Sequence, residues 1–584
     1  MKKWMCLLLC AALLLGLTAC SSQSQETTAA VDPQAATETA APVESTHATT
    51  EAPAETTAPA EETTETPEET EPARPAEEAA IQEEGFLTDF TCADNYRVFY
   101  EIFVGSFSDS NGDGIGDLRG IINRMDYLND GDPNSGKSLG VEGLWLTPIF
   151  ASPSYHKYDV MDYYAVDPDF GTTEDLKELV DLCHERNVQV ILDLPINHTG
   201  IRNQWFSNFV IARRQGLTDD PYYDFYSSCS ANDTYPAGRV WEKIAGTDIC
   251  YECNFSGDMP ELNFDNENVR QAVLDVAKYY LDMGVDGFRF DAAKYVYLGD
   301  NPASASFWEW YMAELRKIKP DVYAVAEVWD ADGVTDIYYP AMDCFNFSVS
   351  SSGGILAETA NKRDVNRLTN YVDGYLENVT SKRENAMIVQ FITNHDMDRA
   401  AGFLTEASGC MKVAANLYLL SSGSPFIYYG EELGMRGSRG GANTDANRRL
   451  AMVWGDGDTV KDPEGTTYKA SSQITATVAD QIADPDSLYS YYKKVIMLRK
   501  ANPEIARGDY QPLPFNNTKV GGFAATWEGK TVYVIHNTTL DNVTIDLSSV
   551  IGGPLTLTGV IGINSAELHG LTLSLGAQTS VILR

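Results

Sequence analysis

The chain has 584 residues, too many for one compact core, so a large domain with at least one satellite is expected. Its formal net charge of −41 excludes nucleic acid, whose phosphates demand Lys and Arg, and suits a neutral partner. A neutral polymer meets that condition, and nothing in the composition calls for a second subunit, so a monomer is expected.

Taken in chain order, the first twenty residues read as an export signal. Lys2 and Lys3 precede an apolar run from Leu7 to Leu17, too short to span a bilayer as a mature helix. The run ends in Leu17-Thr18-Ala19-Cys20, small residues directly before a cysteine. This resembles a bacterial lipobox, which implies cleavage before Cys20, a diacylglycerol on its sulfur and a place on the extracellular face of the cell membrane. The alternative is an ordinary signal peptide with an incidental cysteine. Residues 21–88 are Thr, Ala, Glu and Pro with almost no large apolar side chains, a composition that cannot bury enough surface to offset ordering entropy. Like charges and prolines keep such a segment extended, so it reads as a tether.

From Tyr96 onward, short apolar runs alternate with helix-length amphipathic stretches, the pattern of a parallel sheet with crossover helices. The candidate strands are Val98 to Val104, Gly143 to Pro148, Val188 to Leu194, Gly287 to Asp291, Val322 to Val328, Asp343 to Phe347, Ile388 to Thr393 and Pro425 to Tyr429. Eight such units predict an α/β fold, a (β/α)₈ TIM barrel over residues 89–504. Between the third and fourth strands, residues 197–263 exceed what a crossover needs and form a small inserted domain. Residues 505–584 change texture to alternating strands and read as a C-terminal antiparallel β-sandwich.

The body of the chain holds Cys92, Cys183, Cys229, Cys250, Cys253, Cys344 and Cys410, an odd set that leaves at least one thiol free if the rest pair. Cys250 and Cys253 have C-x-x-C spacing but lack the second pair a zinc site needs. A link from Cys229 to one of them stays open.

In a barrel of this kind reactive side chains sit at the C-terminal ends of the strands. The third candidate strand runs into Asp193-Leu194-Pro195-Ile196-Asn197-His198, and the fourth into Arg289-Phe290-Asp291-Ala292-Ala293-Lys294. The fifth ends in Ala326-Glu327-Val328-Trp329, the seventh in Thr393-Asn394-His395-Asp396. Singly, each acid reads as a helix N-cap and each histidine as a structural one. Together they put three carboxylates, an arginine and two histidines on one rim, which stability alone does not demand. Retaining glycoside hydrolysis needs a nucleophilic carboxylate and an acid/base about 5–5.5 Å apart, a spacing that neighbouring strands can set. Asp291 and Glu327 end consecutive strands. Arg289, two residues before Asp291, projects to the same face and would favour its ionised form, while the apolar neighbours Ala326, Val328 and Trp329 would raise the pKa of Glu327.

These four segments resemble the four short motifs of the alpha-amylase family of glycoside hydrolases, in the family's order, and the likeness covers Tyr96 to Arg584. The resemblance implies that Asp291 is the nucleophile, Glu327 the acid/base and Asp396 the carboxylate that binds and distorts the sugar. It makes His198, His395 and Arg289 partners of that sugar. Tyr155-His156-Lys157-Tyr158-Asp159 is similar to the family's loop after the second strand, with Tyr158 stacking on the sugar and His156 assisting. Ala292 and Lys294 look more like α-1,4-acting members than α-1,6-acting ones, and the resemblance makes Lys294 a further substrate-binding residue. Met259-Pro260-Glu261-Leu262-Asn263 resembles a fifth motif that marks a subgroup between oligo-1,6-glucosidases and neopullulanases, although Glu261 stands where Asp is usual. The implied activity is α-amylase-type cleavage of α-1,4 bonds in starch or maltooligosaccharides through a covalent glucosyl-enzyme intermediate. A 4-α-glucanotransferase or neopullulanase-like activity is the alternative, and a non-catalytic glucan-binding lipoprotein a remote one. Trp527 in the tail is expected to pack a core rather than bind glucan.

Asp109-Ser110-Asn111-Gly112-Asp113-Gly114-Ile115-Gly116-Asp117 places oxygen ligands at alternate positions with glycine at the sixth, the start of a calcium loop. Position 12 is Gly120 instead of the bidentate Glu, which argues against a paired EF-hand. The resembled subgroup binds a structural calcium in this loop after the first strand. Asp109, Asn111, Asp113 and Asp117 would ligate by side chain and Ile115 through its carbonyl. The family resemblance also allows a second calcium near Asn197, with its remaining ligands unidentified.

Overall fold

The computed structural model describes residues 86–584 apart from 236, 363 and 406–407. The export signal, Cys20 and all but the last residues of the acidic tether lie outside the described residues. Among the described residues no helix is long and apolar enough to cross a membrane.

Seven parallel strands form one sheet in the order Asp343–Cys344, Tyr323–Ala326, Gly287–Phe290, Gln189–Leu194, Gly143–Leu146, Phe99–Ile102 and Phe426–Tyr428. The predicted seventh strand fills the remaining gap through two parallel bridges, Phe345 to Val389 and Phe391 to Phe426, so the eight segments close into a barrel. Order in space follows order in sequence, as a chain of right-handed βα units requires. The strands are short and buried along their whole length, because one face meets the barrel interior and the other the helix layer.

Inside the barrel, Phe99, Trp145, Ile191, Tyr323, Val325, Phe345, Val389 and Phe426 form a packed plug. Phe99 stacks between Tyr323 at 5.1 Å and Phe426 at 4.6 Å. Two glycines allow this close packing, Gly143 beneath the Phe99 ring and Gly287 against the neighbouring strand. A Cβ on Gly143 would lie 2.3 Å from the Phe99 ring, and one on Gly287 would lie 1.8 Å from the Tyr323 carbonyl oxygen. With the lower interior closed, polar side chains on the same strands can reach solvent only at the upper rim.

The outer helices follow ordinary sequence rules. In Glu267–Met283, Val269, Val273, Val276, Ala277 and Tyr280 face the core, Asn266 caps the start by accepting from the Asn268 amide, and Gly284 ends it in the left-handed region. That helix delivers the chain into the fourth strand, which carries Arg289.

The insert after the third strand comprises a helix, Gln204–Gln215, and a three-stranded antiparallel sheet in which Ile249–Glu252 lies between Ser228–Ser230 and Trp241–Lys243. Cys229 stands opposite Cys250 in that sheet, and every cysteine among the described residues is a free thiol, so the link considered at Cys229 is not formed.

The C-terminal sandwich packs a five-stranded antiparallel sheet against a three-stranded one around Leu513, Val520, Ile535, Leu547, Leu573, Leu575 and Val581. It docks on the barrel. Trp527 meets Phe90 edge-on at 5.7 Å, and the Arg507 guanidinium lies 4.7 Å from the centre of the Phe90 ring. Trp527 is half-buried at this seam and stands outside the sandwich core in which it was expected to pack.

Candidate active site

A cleft of about 730 Å³ opens at the C-terminal ends of the barrel strands, with Asp291, Glu327, Asp396, His156, Tyr158 and His198 in its lining. Alternation along the fourth strand builds its floor. Phe288 and Phe290 turn outward, Phe290 against Trp308 at 4.7 Å, while Arg289 and Asp291 turn inward.

Arg289 is wholly buried and holds three carboxylates. Its Nη1 donates to both oxygens of Asp193 at 2.8 and 2.9 Å and to Oδ1 of Asp291 at 2.7 Å. Its Nη2 lies 3.0 Å from Oε1 of Glu327, an ion pair without hydrogen-bond alignment. Trp145 supports the group from below, its ring 5.2 Å from the guanidinium and its Nε1 donating to Asp193 at 3.2 Å.

Glu327 Oε2 accepts the amide of Ala292 at 3.1 Å. Ala292 has φ 47° and ψ 39°, a left-handed conformation unusual for a residue with a Cβ. The turn aims the amide that follows Asp291 at the carboxylate on the next strand. Backbone strain thus couples the two acids.

The three rim carboxylates titrate differently. Burial raises Asp291 and Glu327 above the usual range, and in each the Arg289 charge opposes the rise. The hydrogen bonds are unequal: Asp291 accepts a guanidinium N–H, whereas Glu327 accepts a backbone amide. A single proton shared by the pair therefore resides on Glu327. The tryptophan expected to desolvate Glu327 does not do so. Trp329 is 47% exposed and stacks on Phe347 at 4.9 Å, and it is burial in the cleft floor that lifts the acid. Asp396 goes the other way. Burial favours its neutral form, but His395 Nε2 at 3.1 Å and Arg449 Nη2 at 2.6 Å outweigh it and hold the carboxyl well below the usual range.

Tyr158 is buried, donates to Asp193 at 2.9 Å, contacts His395 Nε2 at 2.7 Å and stacks on that ring at 5.6 Å. It still lines the cleft. His156 takes the Tyr158 amide on Nδ1 at 3.2 Å, and burial pushes its pKa down to about 4. His198 is also pushed down to about 4 by burial, and neither ring nitrogen has a partner. A neutral, unpartnered imidazole on a cleft wall is available to a ligand hydroxyl. Lys294, expected to contact substrate, lines the cleft and there donates to the Trp329 carbonyl at 2.7 Å and pairs with Asp330 at 3.0 Å, fastening the rim after the fifth strand.

The family model for the alpha amylase catalytic domain matches residues 101–508. The chain belongs to the alpha-amylase family of glycoside hydrolases. It is 33% identical to Alpha-amylase 3 of Dictyoglomus thermophilum, over 83% of this chain and 93% of the relative. It is 32% identical to the 4-alpha-glucanotransferase of Thermotoga maritima, over 70% of this chain and 88% of the relative. Among solved structures, the alpha-amylase from H. orenii superposes with a TM-score of 0.73 at 34% identity, covering 84% of this chain and 99% of that one.

In this alpha-amylase-family chain the sequence motifs brought together Asp291, Glu327, Asp396, Arg289, His395, His198, His156 and Tyr158, and left several partners unassigned. Arg449, which also donates from Nη1 to the Tyr155 hydroxyl at 3.1 Å, lies in a loop after the eighth strand. Its one signal is adjacency to Arg448, two cations in an acidic chain. Asp193 stands inside a recognised motif, and Glu101 is an acid in an apolar strand, a pattern that flags a buried partner. Glu261, the departure in the fifth motif, is buried in the insert, accepts from Asn254 Nδ2 at 2.7 Å, and is pushed up to about 7 by burial and by Glu252.

The glycine-rich loop after the first strand is folded by its own side chains. Asp109 accepts the amides of Asn111, Gly112 and Gly114 and the hydroxyl of Thr459, Asn111 accepts Asp113, and Asp113 accepts Ile115. Asp117 caps the helix Leu118–Asn123 through the Gly120 amide and receives Ser110. Each carboxylate keeps further lone pairs, the donor chemistry a calcium ion takes. No group of three acidic, His or Cys side chains among the described residues is set to hold a metal, around this loop or around Asn197.

Proposed function

We propose that the protein is a retaining α-amylase-type hydrolase that cleaves α-1,4-glucosidic bonds of starch or maltooligosaccharides. The observation that carries this reading is the single buried guanidinium of Arg289 touching Asp291 and Glu327 at once, beside an Asp396 kept anionic. Asp291 attacks the anomeric carbon as Glu327 gives its proton to the departing oxygen. Glu327 then takes a proton from the incoming water as the glucosyl-Asp291 bond breaks, so the acid is restored. Asp396 and His198 hold the sugar hydroxyls, His395 supports Asp396 from behind, and Tyr158 packs beneath the ring.

Chromatography of products from amylose, pullulan and maltoheptaose tests the reading. Short maltooligosaccharides from amylose support it, and the Asp291→Asn protein should release none while keeping the native circular dichroism spectrum. Turnover by Asp291→Asn would sink the assignment. The relatedness to a 4-alpha-glucanotransferase favours transfer as the second reading, because the same intermediate can meet a sugar hydroxyl. Products longer than a supplied maltotriose would establish it.

Three further expectations complete the proposal. The Asp109–Asp117 loop would hold a structural calcium through Asp109, Asn111, Asp113, the Ile115 carbonyl and Asp117, tightening the turn between the first strand and its helix. A second calcium near Asn197 has one supporting feature, a buried amide nitrogen of Asn197 without a partner, where a flipped amide would present its oxygen. The enzyme would act as a monomer on the outer face of the membrane, anchored at Cys20. Labelled palmitate carried by the wild type and not by Cys20→Ala tests the anchor.

A further inference from the structure

We propose that Glu101 is a positioning residue that holds His395 as a doubly protonated imidazolium, and through that ring keeps Asp396 ionised and Tyr158 oriented on the cleft floor. The inference rests on the reading of that floor as the glucoside site.

Glu101 is the third residue of the first strand, on the inward face it shares with Phe99, and is 1% exposed. A carboxylate in that interior costs several kcal/mol unless a cation meets it. What meets it is His395: Nδ1 lies 2.5 Å from Glu101 Oε1, and the His395 backbone amide donates to the same oxygen at 3.3 Å. At the other end of the ring, Nε2 lies 2.7 Å from the Tyr158 hydroxyl and 3.1 Å from Asp396 Oδ2. The Tyr158 proton is already directed to Asp193 at 2.9 Å, so that hydroxyl accepts from the ring.

Carboxylates accept and do not donate, so Nδ1 must carry a proton for Glu101 and Nε2 must carry one for Asp396 and Tyr158. A neutral imidazole has a single N–H and can satisfy one end. With Glu101 ionised, only the imidazolium satisfies both.

The charged groups around the ring are Glu101 from the first strand, Asp396 beside it, Asp291 at the end of the fourth strand, and Asp193 behind Tyr158. Against them stand Arg289 from the fourth strand and Arg449, whose Nε donates to the His395 carbonyl at 3.2 Å. Burial opposes a charged ring, yet Asp396 and Glu101 outweigh it and carry His395 up to about 10. Burial also raises Glu101, with His395 and Arg289 opposing, so the question is which partner owns the shared proton. The His395 backbone amide donates to the same Glu101 oxygen, which favours the ionised carboxylate and assigns the proton to the ring. A neutral side chain at position 101 would remove one of the two anions that make a cation tolerable there, and at alkaline pH Asp396 would keep Arg449 but lose the charged ring as its second counter-charge.

Ring ¹⁵N chemical shifts of His395 in the wild-type protein at pH 8, assigned by their absence in His395→Gln, test the protonation state directly. Two protonated nitrogens are expected, and a singly protonated ring overturns the proposal. Glu101→Gln keeps the shape of the side chain and one acceptor. It should lose ring charge at pH 8, lower kcat about tenfold there, and move the pH at which the ring deprotonates down by at least about two units, from about 10 to 8 or below. A Glu101→Gln protein with the wild-type profile and a doubly protonated ring overturns the proposal as well. Should that variant fail to fold, the wild-type spectrum still decides, and because the spectrum needs no turnover, a wrong substrate class and a wrong role for Glu101 give different results.

Discussion

Replacing Arg289 with Met is the most searching perturbation, because one buried side chain neutralises three acids. Its Nη1 serves Asp193 and Asp291 at 2.7 to 2.9 Å, and Nη2 stands 3.0 Å from Glu327. Met fills much of the same volume but supplies no charge, so the carboxylates remain in the barrel without a counter-ion. Removing one partner of a buried ion pair costs about 3–5 kcal/mol, a large share of the roughly 5–15 kcal/mol by which folded proteins are stable. The folded-state pKa of each acid then rises further above its unfolded value. A group raised in this way favours the folded state at low pH and loses that advantage as pH climbs, so the stability deficit of Arg289→Met should grow from pH 5 to pH 8. If the same energy is missing from the transition state, kcat falls by roughly two to four orders of magnitude. Urea unfolding at both pH values and initial rates on maltoheptaose measure the two effects. A variant within about 1 kcal/mol of wild type at pH 8, or within tenfold in kcat, would refute the reasoning that Arg289 is the shared counter-charge.

Tyr158→Phe removes the hydroxyl that links Asp193 to His395 and leaves the ring stacked, so a loss of about 1–3 kcal/mol in transition-state stabilisation is expected with little change in fold, read as kcat/KM. Gly287→Ala places a methyl 1.8 Å from the Tyr323 carbonyl oxygen across two paired strands, and soluble yield and melting temperature should both collapse. Calcium should raise the melting temperature of the wild type and chelator lower it, whereas Asp109→Ala should lose the part of that response that belongs to the loop after the first strand. Asp109→Ala should also begin less stable, because three amides and the Thr459 hydroxyl lose their acceptor.

The eightfold alternation of apolar strands and amphipathic helices was legible because periodicity and capping are local properties. Asn266 and Gly284 bracket a helix that any reader of the chain would draw. The residues that end strands were legible for a related reason: in a parallel barrel, position along the strand already says which rim a side chain occupies. Arg289 and Asp291 share a face by the two-residue period alone. The partners that come from elsewhere in the chain were not legible. Glu101 and His395 are 294 residues apart, and Tyr158 and His395 are 237 apart. The left-handed Ala292, which points an amide at Glu327, has no mark in the sequence, since alanine carries no preference for that conformation.

What the sequence by itself determined is the fold class, the four motif-bearing strand ends and the identities of the acids, because these follow from pattern and order. Only the tertiary structure decided which acid is charged. Asp193, Asp291, Glu327 and Asp396 are all carboxylates in apolar or mixed surroundings, and nothing local separates them. Closing the barrel puts Arg289 between three of them and sets His395 and Arg449 against the fourth. Protonation depends on burial and on distances between groups far apart in the chain, quantities that exist only once the strands have met.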